Sequence, residues 1–342
     1  MKASQYTGAE KMEYREVALP EVREDEIRIR IAYCGICGTD LHIFKGHMDA
    51  RVQRPRTVGH EASGTVAAVG KNVTGFAVGD KVTVRPLDNC GSCNTCRAGF
   101  THICEKLRFL GIETDGGFAE YWTVPARLVH HLPENISLKL AALVEPLAVA
   151  CHDVRRGRIS AGEYVVVNGG GPIGMLAALC ARSAGARVTI CEINKTRLAF
   201  AEKLGFATAN PMTEDVVAKV RQETGGSGAD AVFEVSGSEP GAKIMTELVR
   251  PRGRIIMVAI FAKPVPVDLH KFFWKELEMI GTRVYEYEDY EKAIELAGSG
   301  ALPLEELVSS VFPLEQLQEA FAYLCGTPDA MKVLIQCNEV NK

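Results

Sequence analysis

From residue 26 to 32 the chain reads EIRIRIA, apolar and charged side chains in strict alternation, which predicts a strand with one buried face. Two more short strands, GTVAAVG (64–70) and GDKVTV (79–84), follow between Gly and Asp turns, so the first part of the chain reads as mostly β. Past about residue 150 the texture changes. Apolar runs of about five to seven residues (YVVVN, RVTIC, DAVFEV, RIIMVAI and LEMIG) alternate with helical stretches such as 195–204 and 239–249. Strand and helix in alternation predict a parallel, doubly wound sheet. Beyond about residue 286 come two amphipathic helices, near 290–296 and 314–324, and a closing strand, KVLIQ. The most apolar long stretch, 164–181, is interrupted by GGGP and its halves have different periods, so it reads as a strand followed by a helix and not as a membrane span.

Length and composition narrow the picture. With 342 residues the chain is too long for one typical core and divides into two domains, and 47% hydrophobic with 24% charged residues is the balance of a globular protein. A formal net charge of −4 without a basic block argues against nucleic acid or an acidic membrane surface and for small-molecule partners. The first seventeen residues, MKASQYTGAEKMEYREV, contain no apolar core of a secretory signal, so the expected location is the cytoplasm, with the eleven cysteines reduced.

Four of those cysteines, Cys90, Cys93, Cys96 and Cys104, are spaced C-x2-C-x2-C-x7-C. Four thiolates in so short a loop suit one tetrahedral ion, and a site closed by four protein ligands leaves no position for substrate, so this zinc is expected to be structural. Buried thiols, a disulfide or redox pair, and an iron–sulfur cluster are the competing readings; the cluster is disfavoured by the seven-residue last interval and by the lack of a proline after Cys104.

The second domain carries a ligand signature. YVVVNGGGPIG places Gly169, Gly171 and Gly174, with Pro172 and Ile173 between them, directly after a strand and at the opening of a helix. Backbone N–H groups and the helix dipole at such a turn receive a pyrophosphate. The next strand ends at Glu192, eighteen residues beyond Gly174, where a carboxylate accepts from the adenosine ribose hydroxyls and repels a 2′-phosphate, favouring NAD over NADP. Lys195 and Arg197 soften that preference, and Arg197 could instead flank the adenine.

A second metal set lies in the first domain. Cys37, in GICGTD, and His60 with Glu61, in GHE, offer a thiolate, an imidazole and a carboxylate, a mixed set suited to a catalytic zinc with one open position. The ordered motifs GICGTDLH, GHE, the four-cysteine loop, GGFAEY (116–121), EPLAVACH (145–152) and GGGPIG resemble the zinc-dependent medium-chain dehydrogenases of the alcohol, sorbitol and threonine dehydrogenase superfamily. That resemblance implies an α/β protein with a GroES-like, mostly β catalytic domain (1–149 and 287–342) holding both zinc sites, and a Rossmann NAD-binding domain (150–286). It implies Cys37, His60, Glu61 and Glu145 as the catalytic zinc set, leaving open whether Glu61 or Glu145 is the direct ligand. Adjacent residues point apart on regular backbone, so joint ligation by His60 and Glu61 requires an irregular one.

The resemblance further implies Thr39 and His42 as a proton relay. The strand-end residues Val235, Ser236, Gly237, Val258, Ala259 and Ile260 would face the nicotinamide half of the cofactor. Thr282 and Arg283 would lie at the nicotinamide and substrate entrance, with Arg283 on a phosphate, a substrate carboxylate or a surface salt bridge. The implied reaction is hydride transfer from a zinc-bound alcohol to NAD, in a dimer or tetramer formed through the sheet edges of the cofactor domain.

The substrate signal is mixed. GICGTDLHI resembles threonine 3-dehydrogenases, whereas GTRVYEYEDY and the Glu of Val144-Glu145-Pro146 fit the polyol and sugar-acid enzymes better. The expected substrate is a secondary alcohol on a polyol, sugar acid or vicinal diol, with L-threonine as the runner-up. A non-catalytic nucleotide-binding or redox-sensing protein on the same fold would lack the set Cys37, His60 and Glu145, all of which are present.

Overall fold

A computed structural model describes residues 1–339. The chain divides into two compact units, Met1–Glu145 with Glu286–Lys342, and Pro146–Tyr285.

The first unit is built on a seven-stranded sheet. Strands Val129–His131, Lys81–Val84, Glu61–Val69, Glu26–Gly35, Lys332–Gln336 and Val308–Pro313 follow one another, and Tyr121–Pro125 also pairs with Glu26–Gly35. The alternating run EIRIRIA forms the start of the central strand: Ile27, Ile29 and Ile31 are buried, whereas Arg28 and Arg30 are half-buried. At about 1.5–3 kcal/mol for each fully buried isoleucine, this face alone is a substantial anchor. The C-terminal strand lies antiparallel to it, with Leu334 opposite Gly35. A hairpin of Lys2–Gly8 and Lys11–Glu16, joined by Arg56–Thr57, makes a separate small sheet.

The second unit holds six parallel strands in the order Ala207–Ala209, Arg187–Cys191, Tyr164–Asn168, Ala229–Glu234, Val249–Met257, Glu278–Gly281. In chain order this is 3-2-1-4-5-6, the doubly wound arrangement that binds dinucleotides where the order reverses. All five residues of Tyr164–Asn168 are buried, as befits a central strand covered on both faces. The following helix, Pro172–Ser183, starts on Gly171 with a proline in its first turn, and the chain turns away at Gly185 with φ +88. Residues 174–181 of this helix are all buried. Among the described residues no helix is long and apolar enough to cross a membrane.

One strand ends earlier than its apolar run predicts. RIIMVAI leaves the ladder at Met257 because the amides of Val258 and Ala259 both turn to the carbonyl of Glu234, at 3.1 and 3.0 Å. Val258, Ala259 and Ile260 therefore form a loop, and Ile260 is 89% exposed.

Candidate functional site

The four-cysteine loop folds around its own sulfurs. Cys93 caps the short helix Asn94–Arg97, accepting from the Cys96 amide, and a 3-10 turn, Thr101–Ile103, brings Cys104 back. The Sγ–Sγ separations are 4.0 Å for Cys90 and Cys96, 3.8 Å for Cys93 and Cys104, and 3.5 Å for Cys104 and Cys90. A tetrahedron with zinc–sulfur bonds of about 2.3 Å has edges of about 3.8 Å, so this donor set fits one ion, and disulfide spacing is absent from the loop. Amides of Ser92 and Cys93 and the Ser92 hydroxyl point at the Cys90 sulfur and pull its thiol down to about 6. Burial and the thiols of Cys93 and Cys104 push Cys96 up to about 12.

The mixed set assembles at the starts of two elements. Cys37 is the N-cap of helix Gly38–Phe44, His60 precedes the strand Glu61–Val69, and Glu61 opens it. One ligand atom from each of Cys37, His60 and Glu61 lies within 4.8 Å of the others. Just before His60, Gly59 has φ +97, and a Cβ there would sit 2.8 Å from the Phe118 ring. Gly35 gives Glu61 its room: a Cβ there would overlap Glu61 Oε2.

Two further residues, neither singled out in the sequence, frame this set. Asp40 is fully buried, accepts the Cys37 amide at 2.9 Å and stands 3.7 Å from His60 Nδ1. Its place three residues after the N-cap was the legible signal, a capping box. Burial raises its carboxyl to about 6 although the field of His60 opposes this. An imidazole with a carboxylate beside Nδ1 presents Nε2 as a ligand. The second is Lys332, buried on the C-terminal strand, whose ammonium lies 2.7 Å from both carboxylate oxygens of Glu61. Burial alone would lower Lys332, but Glu61, Cys37 and Glu145 outweigh it and the shift is upward. Similarly, burial lowers His60, and the fields of Asp40, Cys37 and Glu145 raise it well above its usual value. Glu145, in the first turn of helix Val144–Arg156, is thus felt by both residues. The thiol, imidazole and carboxylate donors make this pocket a cation site by ligand type. Thr39 is half-buried on the first turn after Cys37, while His42 is exposed with its Nδ1 3.3 Å from that of His47.

The glycine turn of the second unit is an open cradle. Gly169 has φ +117 and donates to the Cys191 carbonyl at 2.8 Å; a Cβ at Gly174 would overlap the Gly169 carbonyl, so helix and strand approach as only glycine allows. At Gly171 the nearest atom to an added Cβ is Arg197 Nη1 at 3.5 Å, which leaves space in front of the helix N-terminus for a pyrophosphate. Glu192 is a buried acceptor and not a solvated strand end: it takes the amides of Gly170, Ile193 and Asn194 at 2.8, 2.7 and 2.9 Å, with Arg197 Nη1 3.7 Å away. At the neighbouring strand ends, a Cβ at Gly169 would lie 2.8 Å from the Ser236 amide, and one at Gly237 3.4 Å from the Ile260 carbonyl. Val235 donates to the Asn168 carbonyl at 3.0 Å. Thr282 is tied through its amide and hydroxyl to Met257, and Arg283 is exposed.

Residues 23–134 match the alcohol dehydrogenase GroES-like domain, and residues 172–299 match the zinc-binding dehydrogenase family. The chain belongs to the zinc-dependent medium-chain alcohol dehydrogenases. It is 53% identical to a 2-dehydro-3-deoxy-L-galactonate 5-dehydrogenase of Pseudoalteromonas atlantica over 99% of both chains. It is 35% identical to a sorbitol dehydrogenase of Halalkalibacterium halodurans, covering 92% of this chain and 93% of that one. Among solved structures, the 2R,3R-butanediol dehydrogenase of Bacillus subtilis matches with a TM-score of 0.92 and 30% identity, over 98% of this chain and 99% of that chain. This dehydrogenase therefore acts on a CH–OH group, in the polyol and sugar-acid branch of its family.

Proposed function

We propose that the enzyme oxidises a secondary alcohol of a sugar acid to the ketone with NAD, the 5-hydroxyl of a 2-dehydro-3-deoxy-galactonate being the first substrate to test, with neutral polyols and vicinal diols as the wider class. The observation that carries this reading is the convergence of Cys37, His60 and Glu61 within 4.8 Å, three donors where a tetrahedral ion takes four, in a chain 53% identical to an enzyme named for that activity. In this assignment residues 1–149 with 287–342 carry the catalytic and structural zinc ions, and residues 150–286 carry NAD.

When bound, zinc supplies Lewis acidity to the alcohol oxygen and the nicotinamide takes the hydride. The chain's own work is to hold and balance these partners. Cys37 and His60 would hold the metal, with Asp40 beside His60 Nδ1. Glu61 and Glu145 would be the carboxylates available to it, and Lys332 holds Glu61 through its ammonium. Thr39 accepts the hydroxyl proton and passes it toward His42, whose exposed ring releases it to water. On the cofactor side, Gly169 to Gly174 cradle the pyrophosphate, Glu192 receives the adenosine ribose, Arg197 flanks the adenine, and Val235 to Gly237, Val258 to Ile260, Thr282 and Arg283 border the nicotinamide.

The same reading places the enzyme in the cytoplasm as a homodimer or homotetramer. The outer strand Glu278–Gly281 leaves one sheet edge of the second unit open, and Leu269, Phe273, Trp274 and Met279 are exposed on this strand and the preceding helix, which supports pairing with a second copy. The deciding experiment is an NAD-coupled panel of 2-dehydro-3-deoxy-galactonate, galactonate, sorbitol, butanediol and threonine. Turnover should be highest on a sugar acid, fall on chelation and return with zinc. Turnover confined to threonine, or none at all, would overturn the proposal.

A further inference from the structure

One buried carboxylate of the second unit takes no part in the chemistry above. Glu234, at the end of strand Ala229–Glu234, is 0% exposed and forms no ion pair among the described residues. Its Oε2 accepts Asn168 Nδ2 at 2.5 Å, and its Oε1 accepts the Ser236 hydroxyl at 2.5 Å and the Gly237 amide at 3.1 Å. Its main-chain carbonyl accepts Val258 and Ala259, at 3.1 and 3.0 Å. One residue thus ties together the residue before the glycine turn, the 235–237 loop and the 258–259 loop. Helix Glu239–Leu248 closes over the network so tightly that a Cβ at Gly241 would lie 2.9 Å from Asn168 Nδ2 and 3.0 Å from Glu234 Oε2.

Burying a carboxylate without a cation is costly, and apolar packing would hold two strands together without that cost. Burial raises the Glu234 carboxyl, and the hydrogen bonds from Ser236, Asn168 and Gly237 work against that rise. What an apolar side chain could not do is fix Asn168 and the 235–237 loop in register by directed bonds.

We infer that Glu234 is a positioning residue for the nicotinamide half of the cofactor: its carboxylate sets the 235–237 loop, against which that half lies, on Asn168 before the glycine turn. This rests on the NAD assignment proposed above. The adenine and pyrophosphate side has its own supports, Gly169 on the Cys191 carbonyl and Gly170 on Glu192, so the two halves of the dinucleotide respond separately to a change at Glu234.

Binding of NADH and of ADP-ribose, which lacks the nicotinamide, tests this by titration calorimetry on the whole enzyme. Asn168→Asp sets a second carboxylate against Glu234 and should weaken NADH at least tenfold, about 1.4 kcal/mol, while ADP-ribose changes less than twofold. Adding Glu234→Gln restores a donor facing an acceptor and should bring NADH back to within threefold of wild type. Should Asn168→Asp fail to fold, Asn168→Ala, which removes one hydrogen bond, should weaken NADH about threefold and leave ADP-ribose unchanged. Equal losses for both ligands, unchanged NADH binding, or no recovery in the double variant would overturn the inference. A wild-type enzyme that binds neither ligand would instead overturn the NAD assignment, and this inference with it.

Discussion

Both carboxylate oxygens of Glu61 lie 2.7 Å from the Lys332 ammonium, although 271 residues separate the two in the chain. A buried carboxylate already satisfied by a lysine is a poor permanent ligand and a good exchangeable one. In the proposed assignment the pair would set how strongly Glu61 competes for the catalytic metal. Removing the cation by Lys332→Met leaves a buried charge alone, which costs about 3–5 kcal/mol. Zinc then becomes the cation nearest to Glu61. Melting in a chelator should fall sharply in the variant, and added zinc should recover more stability than it gives wild type. Equal zinc responses would remove Lys332 from the charge balance of the site.

Gly35 faces Glu61 across the sheet, and a Cβ there would overlap Oε2. Gly35→Ala should therefore push Glu61 off both zinc and Lys332. The expected outcome is metal content falling from two zinc per chain toward one, with activity lost and the four-cysteine loop still loaded. Elemental analysis with a thiol-reactivity assay checks this; full metal content and activity would show that Glu61 can move at little cost.

Local signals made part of this site legible. All four ligands of the cysteine loop fall within fifteen residues, and the glycine turn is carried by a strand–turn–helix whose period changes at Gly169. Lys332 was not legible, because nothing in KVLIQ distinguishes an inward lysine from a strand-edge one; its partner is set by the antiparallel return of the last strand beside Gly35. The joint approach of His60 and Glu61 to Cys37 brings together adjacent residues that a regular strand would point apart, which spacing alone does not reveal. The hairpin of the first sixteen residues escaped because its buried positions include a serine: Ser4 is buried with its hydroxyl on the Leu314 carbonyl at 2.8 Å, a partner 310 residues away. The early end of RIIMVAI arises from Glu234, whose single carbonyl draws two amides from the ladder.

In the cysteine loop, hydrogen bonds from Ser92 and Cys93 lower Cys90 to about 6, whereas burial raises Cys96 to about 12. The thiolate is the reactive form. After zinc removal, Cys90 should be alkylated first, at a rate that rises with pH and reaches half its maximum near 6, with Cys96 inert at neutral pH. Since a depressed pKa means that the thiolate is lost only as pH falls through about 6, Ser92→Ala should move the midpoint upward. Mass spectrometry of iodoacetamide-treated protein measures both, and zinc should protect all four cysteines. Uniform labelling of the four would contradict the graded environment.

Replacing Cys96 by serine separates structure from turnover. If the closed sulfur set holds a structural zinc, as its geometry fits, Cys96→Ser should lose one zinc per chain and lower the melting temperature. The rate per remaining catalytic zinc should stay within about twofold, because Cys37, His60 and Glu61 are untouched. A normally stable variant that has lost hydride transfer would reverse the roles of the two sites.

In the proposed assignment cofactor choice would turn on Glu192, whose carboxylate already holds three amides and carries Arg197 3.7 Å away. A 2′-phosphate on the ribose would meet this charge in a poorly hydrated place, where repulsion is strong. Glu192→Gln removes the charge and should shift the ratio of kcat/KM toward NADP at least tenfold, about 1.4 kcal/mol. The absolute rate with NAD should fall as well, since the Gly170 amide loses a full acceptor. The ratio, unlike the rate, isolates the electrostatic part. Arg197→Ala should move the ratio the other way, because its guanidinium lies 3.7 Å from the Glu192 carboxylate and offsets its charge. Steady-state kinetics with both cofactors on a shared substrate decides it, and ratios unchanged in both variants would place cofactor discrimination elsewhere in the chain.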